Sequence, residues 1–168
     1  MDLILVGFMG SGKTTVGKLL ADRLGKQYFD LDQLIVEQTG MSIPQIFAER
    51  GEDGFRMIEQ QCLQSTNKLP GILGTGGGTP MQRNNQEFLG QVGAPVVLLS
   101  ASIKTILARL AGDNNRPLVE KLGAAGLADL QAQRHDTYLN VSDLQVATDE
   151  LTPFEVADKI IDQLKVAK

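Results

Sequence analysis

The chain has one cysteine, Cys62, and one histidine, His135, among its 168 residues. A single cysteine excludes an internal disulfide, and neither residue has the companions that a thiolate metal centre or a Cys/His nucleophile pair needs. Cys62, between Ile58 and Leu63 on an expected helix, reads as a half-buried packing residue, and His135 as a structural one. Positive charge is not in excess either: 16 Lys and Arg against 20 Asp and Glu give a net charge of −4. No overall positive field attracts a nucleic-acid backbone or an anionic membrane, so neither is an expected partner, and an anionic ligand must be held by local groups. The apolar run Leu3–Val6 is far too short for a signal segment or a membrane span, and no basic stretch precedes it. A cytoplasmic protein is expected. There is no internal repeat and no low-complexity tract. With 42% hydrophobic and 21% charged residues the composition is ordinary for a globular protein, and the length suits one domain over residues 1–168.

Leu3 to Val6 ends at Gly7 and reads as a buried parallel strand. After a glycine-rich turn, Val16, Leu20 and Leu24 recur every four residues, and Gly25 stands at the helix C-cap position. Tyr28 to Asp30 reads as a second strand and Leu34 to Thr39 as a helix. Ser42 caps a helix running to Gly51, and Phe55, Ile58, Cys62 and Leu63 form the face of another. Ile72-Leu73 is the next strand, followed by a second glycine-rich turn, a helix near Gln86–Gln91 and a strand at Pro95–Leu99. Ser102 caps the stripe Ile103, Ile106, Leu107 and Leu110. From about Gly112 to Gly126 the apolar period fails, and the segment reads as a mobile surface stretch. A helix over Leu127–Asn140, a strand over Leu144–Ala147 and a helix opened by the box Thr152-Pro153-Phe154-Glu155 complete the chain. About five buried strands alternating with helices make a three-layer α/β domain with a mainly parallel sheet.

Gly7-Phe8-Met9-Gly10-Ser11-Gly12-Lys13-Thr14 matches G-x-x-x-x-G-K-[ST] between a buried strand and an amphipathic helix, the context this motif requires. Its glycines let successive N–H groups face phosphate oxygens, the helix N-terminus adds a positive end, Lys13 reaches the β- and γ-phosphates, and Thr14 is placed to ligate Mg²⁺. Gly10, Ser11, Gly12, Lys13, Thr14 and Thr15 are therefore the expected nucleotide-binding residues. The bland alternative, a glycine turn with a solvent-facing lysine, does not explain the complete pattern. A GTPase is not indicated: Asp22-Arg23-Leu24-Gly25 lies inside the first helix, and Asn67-Lys68-Leu69-Pro70 lacks the final aspartate of a base-reading motif.

Phe29-Asp30-Leu31-Asp32 places two carboxylates at the carboxyl end of the second strand, where α/β ligands bind. They are candidates for facing Mg²⁺ and an acceptor hydroxyl together; alternatively Asp32 is only the N-cap of the next helix. Arg56 and Glu59, three apart in Gly51-Glu52-Asp53-Gly54-Phe55-Arg56-Met57-Ile58-Glu59, form as a bare pattern a solvated ion pair. Gly74-Thr75-Gly76-Gly77-Gly78-Thr79-Pro80 follows a strand directly and offers backbone N–H groups. Arg116, before Pro117, and Arg134 are each by themselves ordinary surface arginines.

Taken in order, G-F-M-G-S-G-K-T, F-D-L-D, G-E-D-G-F-R-M-I-E, G-T-G-G-G, N-R-P-L and R-H-D-T-Y resemble the shikimate kinase family over nearly the whole chain. The resemblance implies a fold like that of nucleoside monophosphate kinases, a five-stranded parallel sheet in the order 2-3-1-4-5 with a lid at about 112–126. It implies transfer of the γ-phosphoryl of ATP to the 3-hydroxyl of shikimate with Mg²⁺ as cofactor, by a monomer. It assigns Asp32 to the acceptor hydroxyls and Asp30, through water, to the Mg²⁺ shell with Thr14. Arg56, Arg134 and the backbone at Gly76, Gly77 and Gly78 would hold the shikimate, Arg116 would close onto the phosphates, and Arg109 would pack near adenine. The stretch Ala147–Pro153 departs from the family by lacking the Arg or Gln that stacks on the base. Lys13, Asp32 and Arg116 are the expected catalytic residues, because in a loose phosphoryl-transfer transition state positioning and charge neutralisation outweigh a strong base. Two other readings remain: a gluconate-type or nucleoside monophosphate kinase, and a non-catalytic regulatory module that binds ATP.

Overall fold

The computed structural model describes residues 1–111 and 117–166. Five strands, β1 (Leu3–Val6), β2 (Tyr28–Asp30), β3 (Ile72–Gly74), β4 (Val96–Ser100) and β5 (Leu144–Ala147), form one sheet in the order β2-β3-β1-β4-β5. All four pairings are parallel, with Leu5 opposite both Gly74 and Val97, and Asp30 opposite Gly74. The expected strand order is the observed one.

Strand alternation sorts the apolar side chains into two layers. Ile4 and Val6 face one way and pack with Phe8, Leu31, Ile35, Phe55, Leu63, Leu98 and Ile106. Leu3 and Leu5 face the other way, against Val16, Leu20, Val97, Leu99, Val146, Val156 and Ile160. Both faces are covered by helices, which is why every residue of β1 is buried and the strand reads as an unbroken apolar run. Each fully buried Leu or Ile contributes about 1.5–3 kcal/mol, so β1 is the axis on which the fold rests.

The helices are α1 (Lys13–Leu24), α2 (Leu31–Thr39), α3 (Ile43–Ser65), α4 (Arg83–Gln91), α5 (Ile103–Leu110), α6 (Pro117–Val141) and α7 (Pro153–Val166). Their ends follow the sequence signals. Gly25 terminates α1 at φ 61°, Ser42 and Gln45 form a reciprocal capping box, and Thr152 and Glu155 form a second one ahead of α7.

Element boundaries partly follow expectation, and helix α4 starts at Arg83 rather than near Gln86. The two helices expected on either side of Gly51 are present, numbered together as α3 and separated by a kink at Gly51 with φ 66°, ψ −175°. Helix α2 starts at Leu31 rather than Leu34, because Asp30 caps it by accepting from the Asp32 N–H at 3.1 Å. The segment expected to be irregular up to Gly126 is helical from Pro117 onward: proline takes the opening position, and Gly123, at φ 61°, absorbs the one break. Residues 112–116, and with them Arg116, lie outside the described residues. No helix among the described residues is long and apolar enough to cross a membrane.

Candidate active site

Because all five strands run the same way, their carboxyl ends share one edge, and the loops leaving β1, β2 and β3 meet there. Between them lies a cleft of about 440 Å³ lined by Gly10, Gly12, Lys13, Thr14, Thr15, Asp30, Asp32, Gly76, Gly77 and Arg109, among others.

The loop after β1 turns sharply at Gly7, whose φ is 143° and where an added Cβ would lie 2.4 Å from the Leu99 carbonyl oxygen. No side chain fits there. Gly12 sits at the N-cap of α1 with φ 101°, so the first N–H groups of α1 open toward the cleft without a capping side chain. Lys13 Nζ donates to the carbonyls of Gly7 at 2.8 Å and Phe8 at 3.0 Å, which folds its charge over the loop instead of out into solvent. Thr14 and Thr15 are exposed on the first turn of α1, whereas Ser11 is fully buried.

Arg109, from α5, closes this end of the cleft. Its guanidinium donates to the Gly10 carbonyl at 3.2 Å, to Thr148 Oγ1 at 3.0 Å and to the Thr148 carbonyl at 2.7 Å. Beside it a smaller cavity of about 170 Å³ is lined by Gly12, Thr15, Val16, Arg109, Leu151 and Pro153 among others. Arg109 and Pro153 thus flank one space next to the phosphate loop. Asp149, within the stretch Ala147–Pro153, is turned to α5 instead: it accepts from the Ser102 N–H at 2.8 Å and from Thr105 Oγ1 at 2.7 Å, bonds that hold its carboxyl below the usual range.

On the other side of the cleft, Asp30 and Asp32 do face the same space. The helix cap is Asp30, not Asp32. Tyr28 donates its hydroxyl toward Asp30 Oδ2 at 3.4 Å, and burial pushes that phenol up to about 12, so it stays a donor at neutral pH. The Asp32 residue is open to the cleft while its carboxyl end lies against the loop: a Cβ on Gly76 would come within 3.2 Å of Asp32 Oδ1. Burial, then the charges of Asp30 and Glu59, push the Asp32 carboxyl up to about 6, against the opposing pull of Lys13 and Arg56. The oxygen donors Thr14, Asp30 and Asp32 suit a hard cation such as Mg²⁺. Among the described residues no group of three or more His, Cys, Asp or Glu forms a cage for a metal ion. These few oxygens therefore fit an ion that takes its other ligands from phosphate and water.

The loop Gly76–Gly78 collects the remaining candidates. Arg56, from α3, lies against Gly78, where a Cβ would meet its Nη2 at 2.9 Å. Its Nη1 donates to Glu59 Oε2 at 2.9 Å and its Nη2 to Glu52 Oε1 at 3.3 Å. Arg134, from α6, donates to the Gly77 carbonyl at 3.3 Å, and its guanidinium carbon is 5.9 Å from the centre of the Phe8 ring. Asp32, Arg56 and Arg134 therefore reach the same three glycines from three helices.

Sequence reasoning missed several contributors. The Arg56–Glu59 pair is not a solvated one: Glu59 is 1% exposed, and its second oxygen accepts from Thr79 Oγ1 at 2.8 Å. Tyr138 donates to the Gly77 carbonyl at 2.6 Å and is held as a phenol by burial, which pushes it up to about 12. The i,i+3 spacing of Arg56 and Glu59 and the late R-H-D-T-Y string carried both residues, but nothing local signalled their burial. Cys62 is fully rather than half buried, with its thiol pushed up to about 11 by burial and by Glu59, and His135 is exposed on α6.

A family model described as shikimate kinase matches residues 9–165. A shikimate kinase of Limosilactobacillus fermentum is 47% identical over 167 residues, covering 99% of this chain and 96% of that protein. One from Pseudomonas aeruginosa is 41% identical over 167 residues, covering 98% and 96%. Among solved structures, shikimate kinase from Acinetobacter baumannii in complex with shikimate superposes with a TM-score of 0.92 at 37% identity, covering 99% of this chain and 94% of that one. A deoxyadenosine kinase from M. mycoides with bound dATP, at 16% identity and a TM-score of 0.64, shares the fold alone.

Proposed function

The chain belongs to the shikimate kinase family, enzymes of ATP-dependent phosphorylation of shikimate, and on that premise we propose how its own residues divide the reaction. The observation that carries the proposal is the convergence of Asp32, Arg56 and Arg134 on Gly76–Gly78, directly beside the phosphate loop.

The loop Gly7–Thr14 holds the ATP phosphates through backbone N–H groups, and Lys13 follows the charge that builds on the transferred phosphoryl. The space between Arg109 and Pro153 receives the base. Arg56 and Arg134 bind the shikimate carboxylate, since guanidinium groups match a carboxylate in two-point fashion and an acidic protein needs a local positive pocket to retain an anion. Asp32 accepts a hydrogen bond from the 3-hydroxyl and aims its oxygen at the γ-phosphorus. A new O–P bond forms there as the bond from phosphorus to the β,γ-bridging oxygen breaks, and the hydroxyl proton leaves toward Asp32. Thr14, with Asp30 acting through water, would hold Mg²⁺, which neutralises phosphate charge when bound.

The reading also includes a single domain over residues 1–168, its site gathered on the carboxyl edge of one sheet, and a monomer; light scattering after gel filtration checks the second. Product identification tests the function. Purified protein is incubated with Mg-ATP and, separately, shikimate, gluconate, a nucleoside monophosphate or no acceptor, followed by mass spectrometry. Phosphorylation of shikimate alone is expected. Another phosphorylated acceptor would overturn the acceptor assignment, and ATP binding without any product would favour a regulatory module.

A further inference from the structure

We infer that Thr79 and Asn85 are positioning residues for the acceptor, the outer links of a buried hydrogen-bond chain, Asn85 to Thr79 to Glu59 to Arg56, that fixes the Arg56 guanidinium. The inference rests on the reading that Arg56 binds the shikimate carboxylate.

The chain begins on α4. Asn85 is completely buried, and its Nδ2 donates to the Thr79 carbonyl at 2.9 Å. Thr79, also completely buried, opens a short 3-10 turn over Thr79–Met81, and its N–H donates to the Gly76 carbonyl at 3.2 Å. Its hydroxyl donates to Glu59 Oε1 at 2.8 Å, and Glu59 Oε2 receives Arg56 Nη1 at 2.9 Å. An ionised carboxylate only accepts, so the direction of each bond is fixed: Thr79 supplies its one proton to Glu59, and both Glu59 oxygens are spoken for.

The geometry does more than fill space. Thr79 Oγ1, Asp32 Oδ1 and Glu59 Oε1 all crowd the position above Gly76, at 3.1, 3.2 and 3.6 Å from where a Cβ would stand. Two carboxylates side by side repel. A hydroxyl that donates to Glu59 holds that carboxylate on Arg56 and leaves Asp32 directed at the cleft. The other anchors of Arg56 do not set its direction by hydrogen bonding from a buried partner: its Nε is buried without a hydrogen-bond partner among the described residues, its guanidinium carbon stands 5.2 Å from the centre of the Phe55 ring, and its other carboxylate, Glu52, is exposed. An unfixed arginine has many rotamers, and binding an anion with it costs the freedom that the chain has already removed.

The test compares Thr79→Val, which keeps the side-chain shape but loses the hydroxyl, with Thr79→Ser, which restores a donor. Arg56→Ala runs in parallel, and ADP affinity is measured for each variant. Thr79→Val is expected to raise KM for shikimate about tenfold, or ~1.4 kcal/mol, with kcat and KM for ATP within about twofold. Thr79→Ser is expected to return KM for shikimate to within about twofold of the parent. Equal rises in both KM values, loss of ADP binding in Thr79→Val, or a serine variant as poor as valine would make the chain merely structural and overturn the inference. If Arg56→Ala weakens shikimate and Thr79→Val does not, the positioning role falls and the carboxylate assignment stands. If Arg56→Ala leaves shikimate affinity unchanged, the assignment itself falls and takes the positioning role with it.

Discussion

The Asp32 carboxyl provides a quantitative test of the site, because its neighbours move it in a direction that kinetics can read. An ordinary aspartate ionises near 3.8, whereas Asp32 is pushed up to about 6 by burial of its carboxyl end and by Asp30 and Glu59. If its ionised form orients the acceptor hydroxyl, then at pH 5 only about a tenth of the enzyme is competent, where an unperturbed aspartate would leave about nine-tenths. The expected result is a fall in kcat/KM for shikimate below about pH 6, one proton per site, under saturating Mg-ATP. Asp30→Asn removes the stronger of the two negative influences while keeping a side chain that caps α2, so the acid limb should move to lower pH even though turnover drops. Carbon-13 NMR of the Asp32 carboxyl in the free enzyme, assigned with Asp32→Asn, reads the same titration without catalysis. A limb below about pH 4.5, or one that Asp30→Asn does not move, would refute the reasoning. The linkage to folding has the opposite sense to that of a salt-bridged aspartate. Folded protein holds a proton here that the unfolded chain releases, so this group's stabilising share is full below about pH 4 and is lost as pH rises through about 6.

Lys13→Ala is expected to lower kcat by at least about a hundredfold, since it removes a preorganised charge from the phosphoryl path; retained turnover in an ADP-release assay would mean that the loop has been misread. Tyr138→Phe removes the 2.6 Å bond to the Gly77 carbonyl, but Arg134 still donates to that oxygen, so the loss should be about 1 kcal/mol and the melting temperature should drop by roughly 2–4 °C. No change in melting would show that the bond contributes nothing. Gly17→Ala places a Cβ 2.3 Å from Tyr28 Cε2, and overpacking of about 1–3 kcal/mol outweighs a helix-propensity gain of at most ~1 kcal/mol. Urea unfolding should record a net loss that shrinks when Tyr28→Ala is added, because the two side chains then no longer compete.

The inner strands were legible because burial on both faces leaves an unmistakable mark: Leu3–Val6 and Val96–Leu99 are unbroken apolar runs. The edge strands β2 and β5, expected to be buried, are only partly so, and β5 is held across the sheet, where Asp143 Oδ2 accepts from the Val96 N–H and the Thr148 N–H donates to the Ser100 carbonyl. Helix starts marked by Ser42, Ser102 and Thr152 were equally plain, since an N-cap is a local chemical event among residues three apart. The stretch from Pro117 to Gly126 was not legible. Gly123 and Gly126 break the apolar period, and a period is all that a sequence offers there; Pro at the first position and a single left-handed glycine let the helix form in spite of it.

The site divides along the same physical line. The phosphate loop was readable because its function and its sequence spacing are one thing: the residues that touch phosphate are consecutive. The acceptor side works through partners that are far apart in the chain, Thr79 with Glu59 at a separation of 20 and Tyr138 with Gly77 at 61, and no spacing rule reaches that far. What ties them together is the glycine triplet. Its evident promise is backbone N–H groups, but its larger contribution is the volume its side chains do not occupy. A Cβ at Gly76 would crowd Thr79 and Asp32 at 3.1 and 3.2 Å, and one at Gly78 would press on the Arg56 guanidinium at 2.9 Å, whereas one at Gly77 would only touch the Met9 N of the phosphate loop in ordinary contact at 3.4 Å. Two of the glycines thus make room for different parts of the machinery: Gly76 for the hydroxyl-orienting acid and Gly78 for the carboxylate-binding arginine. Alanine along the triplet should accordingly separate the positions. Gly78→Ala should weaken shikimate with ATP affinity intact, and Gly77→Ala should leave both substrates nearly unaffected. Equal kinetic defects at Gly77 and Gly78 would mean that the triplet acts as one flexible unit rather than as separately fitted spaces.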